Sequence, residues 1–240
     1  MVTPESASQE DLVSRVVGLY ERSPIVRMLV AAHPPLAIAE AGLLATYNWW
    51  KTRRLYAFAD DIISLNLNPT EEQVRSREFS EAFGAAAERV LQTKREEKIR
   101  LFARLFASYV ESKDSSAEGF DTFEEELDIL DEVGYREFQL LVVLWGHESR
   151  FPVDPHENEL ERTGHYWKDF QAEVTKKLGV GTGELNAMLQ RLTRTGLYQI
   201  IVGNYTDYVG NRGYLTPLFE RLLRNLRMKE SKGDTGSAPP

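Results

Sequence analysis

Trp167–Leu226 reads WKDFQAEVTKKLGVGTGELNAMLQRLTRTGLYQIIVGNYTDYVGNRGYLTPLFERLLRNL, and the order of its signals decides the fold. Trp167–Leu178 reads as a helix that ends at Gly179. Gly179-Val-Gly-Thr-Gly183 is a turn whose glycines are expected to supply positive φ angles. Glu184–Thr195 is amphipathic: Leu185, Met188, Leu189 and Leu192 fall at i, i+3, i+4 and i+7. Gly196 fits as its C-terminal cap. Leu197–Val202 is rich in aromatic and branched residues and reads as a strand. Two turn signals follow, Gly203-Asn204 and Gly210-Asn-Arg-Gly213. The second is expected at the hairpin tip, because Tyr214-Leu215 then returns as a strand. Thr216 caps the last helix and Pro217 suits its first position. Leu218, Phe219, Leu222, Leu223 and Leu226 form its apolar face.

Working outward, Tyr135–His147 is apolar on nearly all sides, and is expected as a buried central helix. It precedes Glu148–Arg162, which contains Pro152, Pro155 and several charges and reads as a loop. With Tyr135–His147 as first helix, the order of elements resembles the winged helix-turn-helix. The strings RLTRTGLYQI and GYLTPLFERLL are similar to the Gly-Leu and Leu-Thr cadence of many bacterial winged helices. Phe219 stands where that family usually has Gly. The resemblance implies a compact helical module with a small β-hairpin. Winged helices bind DNA, and many bind only proteins or dimerise.

The N-terminal part reads as a series of helices. A first helix is expected from about Gln9 to Arg22, capped by Ser8. Met28–Trp50 is the most hydrophobic segment, divided by Pro34-Pro35 and interrupted by His33 and Glu40. A membrane span needs about 20 predominantly apolar residues, so the first expectation is a buried bundle helix or a dimer interface. Trp49-Trp50 followed by Lys51, Arg53 and Arg54 also resembles an interfacial border. Leu36, Ile38, Leu43, Leu44, Trp49 and Trp50 are the candidate oligomer or membrane interface. Arg54–Asn66 continues as helix, Thr70 caps the next, and Phe79–Leu91 is Ala-rich on one side. Ile99, Phe102, Leu105, Phe106 and Tyr109 recur at helical spacing. Glu111–Phe120 reads as a polar loop, and Phe123–Val133 as an acidic helix with Leu127, Leu130 and Val133 inward. The words of KREEKIRLFARLFASYV and the layout resemble the abortive-infection-associated Abi-alpha proteins, which implies a role in bacterial defence or regulation.

Length and composition suit one large domain or two small ones: 240 residues, 42% of them apolar and 28% charged. The expected division is a helical region at 1–134, a winged-helix-like region at 135–230 and a disordered tail at 231–240. No cysteine occurs, which excludes disulfides, thiolate metal sites and cysteine nucleophiles and suits a reducing cytoplasm. The N-terminus shows no basic segment leading into an apolar run, so no secretory signal is expected. The net charge of −8 is uneven. Glu111–Glu161 holds 16 Asp/Glu and 3 Lys/Arg, whereas Thr163–Lys232 holds 11 Lys/Arg and 6 Asp/Glu. Halves of opposite sign can complement each other, or the basic half can face a polyanion.

His147, His156 and His165 recur nine residues apart among carboxylates. Their spacing matches no metal site, and surface histidines on a loop are the simpler reading. Asp60-Asp61 are neighbours on a helix and point apart. Nucleophile elbow, Walker A loop and dinucleotide fingerprint are absent, and Gly179–Gly183 lacks the lysine of a phosphate loop. No enzyme, cofactor or metal is expected. The leading reading is a non-enzymatic interaction or regulatory protein that self-associates or binds a partner protein through helical surfaces. The alternative is a DNA-binding regulator that uses Lys176, Lys177, Gln190, Arg191, Arg194 and Arg212. A membrane-associated bacterial defence effector is third.

Overall fold

The computed structural model describes residues 42–65, 67, 69–112, 117–202 and 211–227. The chain divides into two compact units, Met1–Leu127 with Lys229–Pro240, and Asp128–Met228. The described residues are mainly helical, with one two-stranded antiparallel hairpin near the C-terminus. The helix expected at Gln9–Arg22, most of Met28–Trp50 and the tail at 231–240 lie outside the described residues.

In the first unit, α1 (Gly42–Ser64) runs unbroken through the junction near Arg54. Leu55, Phe58, Ala59 and Ile62 fall at helical spacing and are buried. Thr70 and Gln73 form a reciprocal capping box at the start of α2 (Glu71–Arg75). Ser76 then caps α3 (Arg77–Gln92) by accepting from Phe79 N. Phe79, Ala82, Phe83, Ala86, Ala87 and Val90 form the buried stripe of α3. Alanines at three of these positions let α3 pack closely on α1 and on α4 (Glu96–Ser112). Arg54 reaches back from α1 and donates to the carbonyl of Leu91 at 2.7 Å. That bond satisfies one of the last-turn carbonyls that a helix leaves open.

The centre of this unit is a ring cluster. Phe106 lies 6.1 Å from Phe58, 5.4 Å from Phe79, 5.7 Å from Phe83 and 6.5 Å from Phe123, centroid to centroid. Edge-to-face and tilted arrangements dominate, as ring quadrupoles favour; each such pair adds about 0.5–1.5 kcal/mol beyond area burial. The acidic helix α5 spans Ala117–Glu132 and so starts inside the stretch expected as loop. Phe120 and Phe123 are one turn apart, and both pack on Tyr109, at 6.4 and 4.8 Å. Docking both rings outweighs the roughly 1 kcal/mol that Gly119 costs inside a helix. Leu127, Leu130 and Val133 point inward as expected. The boundary between units falls within α5.

The second unit continues with α6 (Tyr135–Glu148) and α7 (Glu159–Leu178). α6 buries Phe138, Leu140, Leu141, Leu144 and His147, while Val142, Val143 and Trp145 stay half-exposed. It is therefore buried over one broad face rather than all round. α7 begins well before Trp167, because Asn158 and Glu161 cap each other reciprocally. The charges that read as loop are first-turn carboxylates, Glu159 and Glu161, at the positive end of the helix dipole. Gly179 closes α7 with φ 62°. Of the turn glycines it alone is left-handed: Gly181 has φ −76°, and Gly183 already lies in α8 (Thr182–Leu192). Leu185, Met188, Leu189 and Leu192 are buried as their spacing predicts.

α8 ends at Leu192, and Gly196 turns the chain with φ 74° into β1 (Tyr198–Ile200). β1 pairs with β2 (Gly213–Leu215), Tyr198 opposite Leu215 and Ile200 opposite Gly213. The strand expected over Leu197–Val202 is thus shorter, and the Gly210–Gly213 signal leads into β2. Residues 203–210, including Gly203-Asn204, lie outside the described residues. Gly213 is required by close approach. A β-carbon there would stand 2.1 Å from the Gln199 carbonyl oxygen and 2.6 Å from the Tyr198 ring. β2 lies against α6 and α7. Thr216 then starts α9 (Pro217–Arg227): its Oγ1 accepts from Phe219 N at 3.4 Å and donates to the Gly196 carbonyl at 2.6 Å. Phe219, Leu222, Leu223 and Leu226 are buried.

Candidate interaction face

α8 buries its leucine stripe, so its opposite side is the face offered outward. Thr182, Gly183, Ala187 and Gln190 are exposed there, with Arg194 just beyond the helix end. The side of α8 toward α6 is closed by a crossed pair of ion pairs. Arg136 Nη1 meets Glu184 Oε1 at 2.6 Å, and Arg191 Nε meets Glu137 Oε1 at 2.7 Å. Arg136 also donates to the carbonyl of Leu178 at 2.7 Å, which completes the end of α7. On the hairpin side, Asn211 Nδ2 donates to the Asn186 carbonyl at 3.0 Å.

Of the residues proposed for DNA, two are held by carboxylates. Arg191 is held by Glu137, and Lys177 is held by Glu173 at 2.6 Å. Arg212 is half-buried, and its Nη1 lies 3.9 Å from the β-carbon position of Gly164 on α7. Lys176, Gln190 and Arg194 are exposed. The exposed residues of α8 without an ion-pair partner on α6 are Thr182, Gly183, Ala187 and Gln190, whereas Glu184 and Arg191 are exposed but paired.

Of the candidate oligomer or membrane residues, Leu36 and Ile38 lie outside the described residues, and Leu43, Leu44 and Trp49 are described only as backbone of α1. Trp50 is 47% exposed, with the Arg53 guanidinium 5.6 Å above its ring. The basic border is partly spent inside the protein. Arg54 caps α3, and Arg53 also meets Glu96 at 3.3 Å. Among the described residues no helix is long and apolar enough to cross a membrane.

A buried ionic cluster escaped the sequence reading. His147 and Glu148 are consecutive at the end of α6 and reach α7 at two different heights. His147 is buried on the helix, not on a surface loop. Its Nε2 lies 2.7 Å from Glu173 Oε2, and its ring meets Phe170 edge-on. Hydrogen bonds from Lys177 and from His147 hold the Glu173 carboxyl below its usual range. Glu148 Oε1 meets Arg162 Nη2 at 2.6 Å, and its Oε2 accepts from Leu215 N at 3.0 Å. Arg162 completes its fork with Glu159 at 3.0 Å and the Phe151 carbonyl at 3.2 Å. Burial pushes the Glu148 carboxyl up, further than the Leu215 N–H and Arg162 pull it down. The Tyr166 hydroxyl is buried beside them without a hydrogen-bond partner. Burial, then the nearby Glu148 charge, raises its pKa. The signal for this cluster was present as Arg162, Tyr166, Phe170 and Val174, one residue in four along a single face.

The remaining chemical candidates do not converge. His165 pairs with Glu157 at 2.5 Å and stacks on Phe151, beside an open cleft of about 510 Å³. His156 is exposed on the loop, its N–H bound to Asp154 Oδ1. No group of three metal-ligating side chains occurs among the described residues. Asp60 is exposed, whereas Asp61 is half-buried near Arg100, with its carboxyl pushed up by burial. Comparison with known proteins finds no family model, no curated protein and no solved structure that matches this chain.

Proposed function

We propose that the chain is a non-enzymatic interaction protein whose second unit is a winged-helix-type module used for protein contact. The observation that carries this reading is the outward face of α8. A helix that enters a DNA groove presents long polar side chains to bases and Lys/Arg to phosphates. Here Thr182, Gly183 and Ala187 occupy most of that face, Gln190 and Arg194 lie at its end, and Arg191 is committed to Glu137. A helix face of mostly small uncharged residues, with its charges largely paired, suits a protein surface better than a polyanion. The half-exposed Trp50 on α1 supports a second contact, since aromatic residues are enriched at interfaces. A cytoplasmic setting agrees with a chain that contains no cysteine.

The test has two arms. Sedimentation at micromolar concentration reads self-association, and titration with duplex DNA at about 50 mM salt reads nucleic-acid binding, where even nonspecific contacts register. The expected result is a dimer or larger species and no DNA binding. A monomer that binds duplex with steep salt dependence, weakened by Arg194→Ala, replaces this reading with the DNA-binding regulator.

A further inference from the structure

We propose that the outer edge of β1 is where two copies of this chain pair, antiparallel and about a two-fold axis through Ile200. The inference rests on the reading of the chain as a self-associating interaction protein, and it names where the copies meet. The ladder geometry identifies the edge. Thr216 N donates to the Leu197 carbonyl, Ile201 N donates to the Arg212 carbonyl, and Gln199 stands opposite Tyr214 between them. These three are the hydrogen-bonded pairs of the ladder. Antiparallel pairs alternate, so the N–H and C=O of Ile200 point away from β2, to the outer side of β1. Among the described residues they meet no partner.

The two edges of the ladder are treated differently. On β2 the outward N–H of Leu215 is taken by Glu148 at 3.0 Å, and the strand lies against α6 and α7. Protein sheets otherwise blunt an open edge with charge, proline or a bulge. Tyr198-Gln-Ile-Ile-Val202 carries no charge and no proline, and its register with β2 is continuous. Gln199 is exposed, Ile200 is half-buried and Val202 is 91% exposed. Such an edge is a template for a further strand. A second copy fits it. A residue on the two-fold axis exchanges both bonds with itself: each Ile200 N–H donates to the Ile200 carbonyl of the other copy. A two-fold contact uses one patch twice, and an uncharged edge sets no like charges opposite each other when it meets itself. The same pairing lays the exposed Val202 against the second copy. A peptide selected by its charge finds no counter-charge on these five residues.

Sedimentation of the full chain with a charge swap at the axis tests this. Ile200→Lys and Ile200→Glu each place like charges directly opposite, so each is expected to associate at least about tenfold more weakly than the wild type. An equal mixture of the two is expected to associate again, because Lys then faces Glu. Circular dichroism checks that both variants keep their helices. Hydrogen exchange on the wild type gives a reading without substitution. When about nine-tenths of the chains are dimeric, the Ile200 amide is expected to exchange about tenfold more slowly than in the monomer. The Gln199 amide, bonded to Tyr214 within each copy, is expected to change little. An Ile200→Lys variant that dimerises as well as the wild type overturns the inference and leaves the self-association reading standing. Single variants and a mixture that are all monomeric overturn the two-fold at Ile200. A monomeric wild type overturns both readings, whatever peptide the edge then binds. If the variants do not fold, the exchange decides alone: an Ile200 amide insensitive to concentration in a dimerising wild type overturns the inference.

Discussion

Phe106 in the first unit and Arg162 in the second both sit on the inward face of a long helix, and both are buried. Around Phe106 stand rings from α1, α3 and α5, which tolerate tilted and edge-on arrangements alike. Around Arg162 stand two carboxylates and a carbonyl, each at a defined atom of its guanidinium. The first core is held by area and the second partly by address. An apolar cluster can adjust when one member changes, whereas a buried charge without its partner is stranded. The difference teaches that burial alone does not predict which residue a unit depends on.

The sharpest way to break this comparison is Arg162→Met. Removing one partner of a buried pair costs about 3–5 kcal/mol, and adding Glu148→Met should return part of that loss. Chemical denaturation, with hydrogen exchange to localise the effect, reads both. If the double variant is as unstable as the single, stranded charge is not the reason. In the first unit, Phe106→Leu keeps much of the apolar volume and should cost less, about 1–2 kcal/mol. A loss as large as that of Arg162→Met would show that the ring cluster is as exacting as the ion cluster.

Gly213→Ala comes next. Its β-carbon would meet the Gln199 carbonyl oxygen at 2.1 Å, so the hairpin must shift, at about 1–3 kcal/mol. Gly179→Ala meets open space but forces φ 62° on a residue with a β-carbon, at about 1–2 kcal/mol. A smaller effect at Gly213 than at Gly179 would mean that the strands give way cheaply and that contact does not limit Gly213. The smallest effect is expected for Arg136→Ala. Its pair with Glu184 is half-exposed on both sides, so at most about 1 kcal/mol is lost.

The pH dependence sharpens the contrast within the second unit. Glu173 has a lowered folded pKa, so its contribution is present above the unfolded glutamate value, near 4.3, and is lost as pH falls through the folded value. Glu148 has a raised folded pKa, so its contribution is present below that unfolded value and is lost as pH rises through the folded one. Carboxyl titration by carbon NMR should therefore find Glu148 above, and Glu173 below, the exposed glutamates. Titration of the two in the opposite order would remove the electrostatic account of the His147–Glu148 corner.

Much of the architecture was legible along the chain. Periodicity placed the leucines of α8 and the phenylalanines of α4, and Thr70 and Thr216 marked helix starts through local caps. These signals act within a few residues, where helix geometry couples neighbours directly. The early start of α7 was missed because Glu159, Glu161 and Arg162 read as loop charges. Only the position of Glu148 at the end of α6 makes a buried arginine affordable there. The partner of His147 was missed for the same reason, since Glu173 lies 26 positions away. The candidate basic face was assembled from charge alone, and charge does not reveal that Glu137 lies beside Arg191. By itself the sequence determined the mainly helical class, the order of elements in the second unit and the apolar faces of α4, α8 and α9, because periodicity and capping are local. Only the tertiary structure decided which charges are buried, paired or offered to solvent, because that depends on side chains brought together from distant segments, where desolvation and partner geometry outweigh local preference.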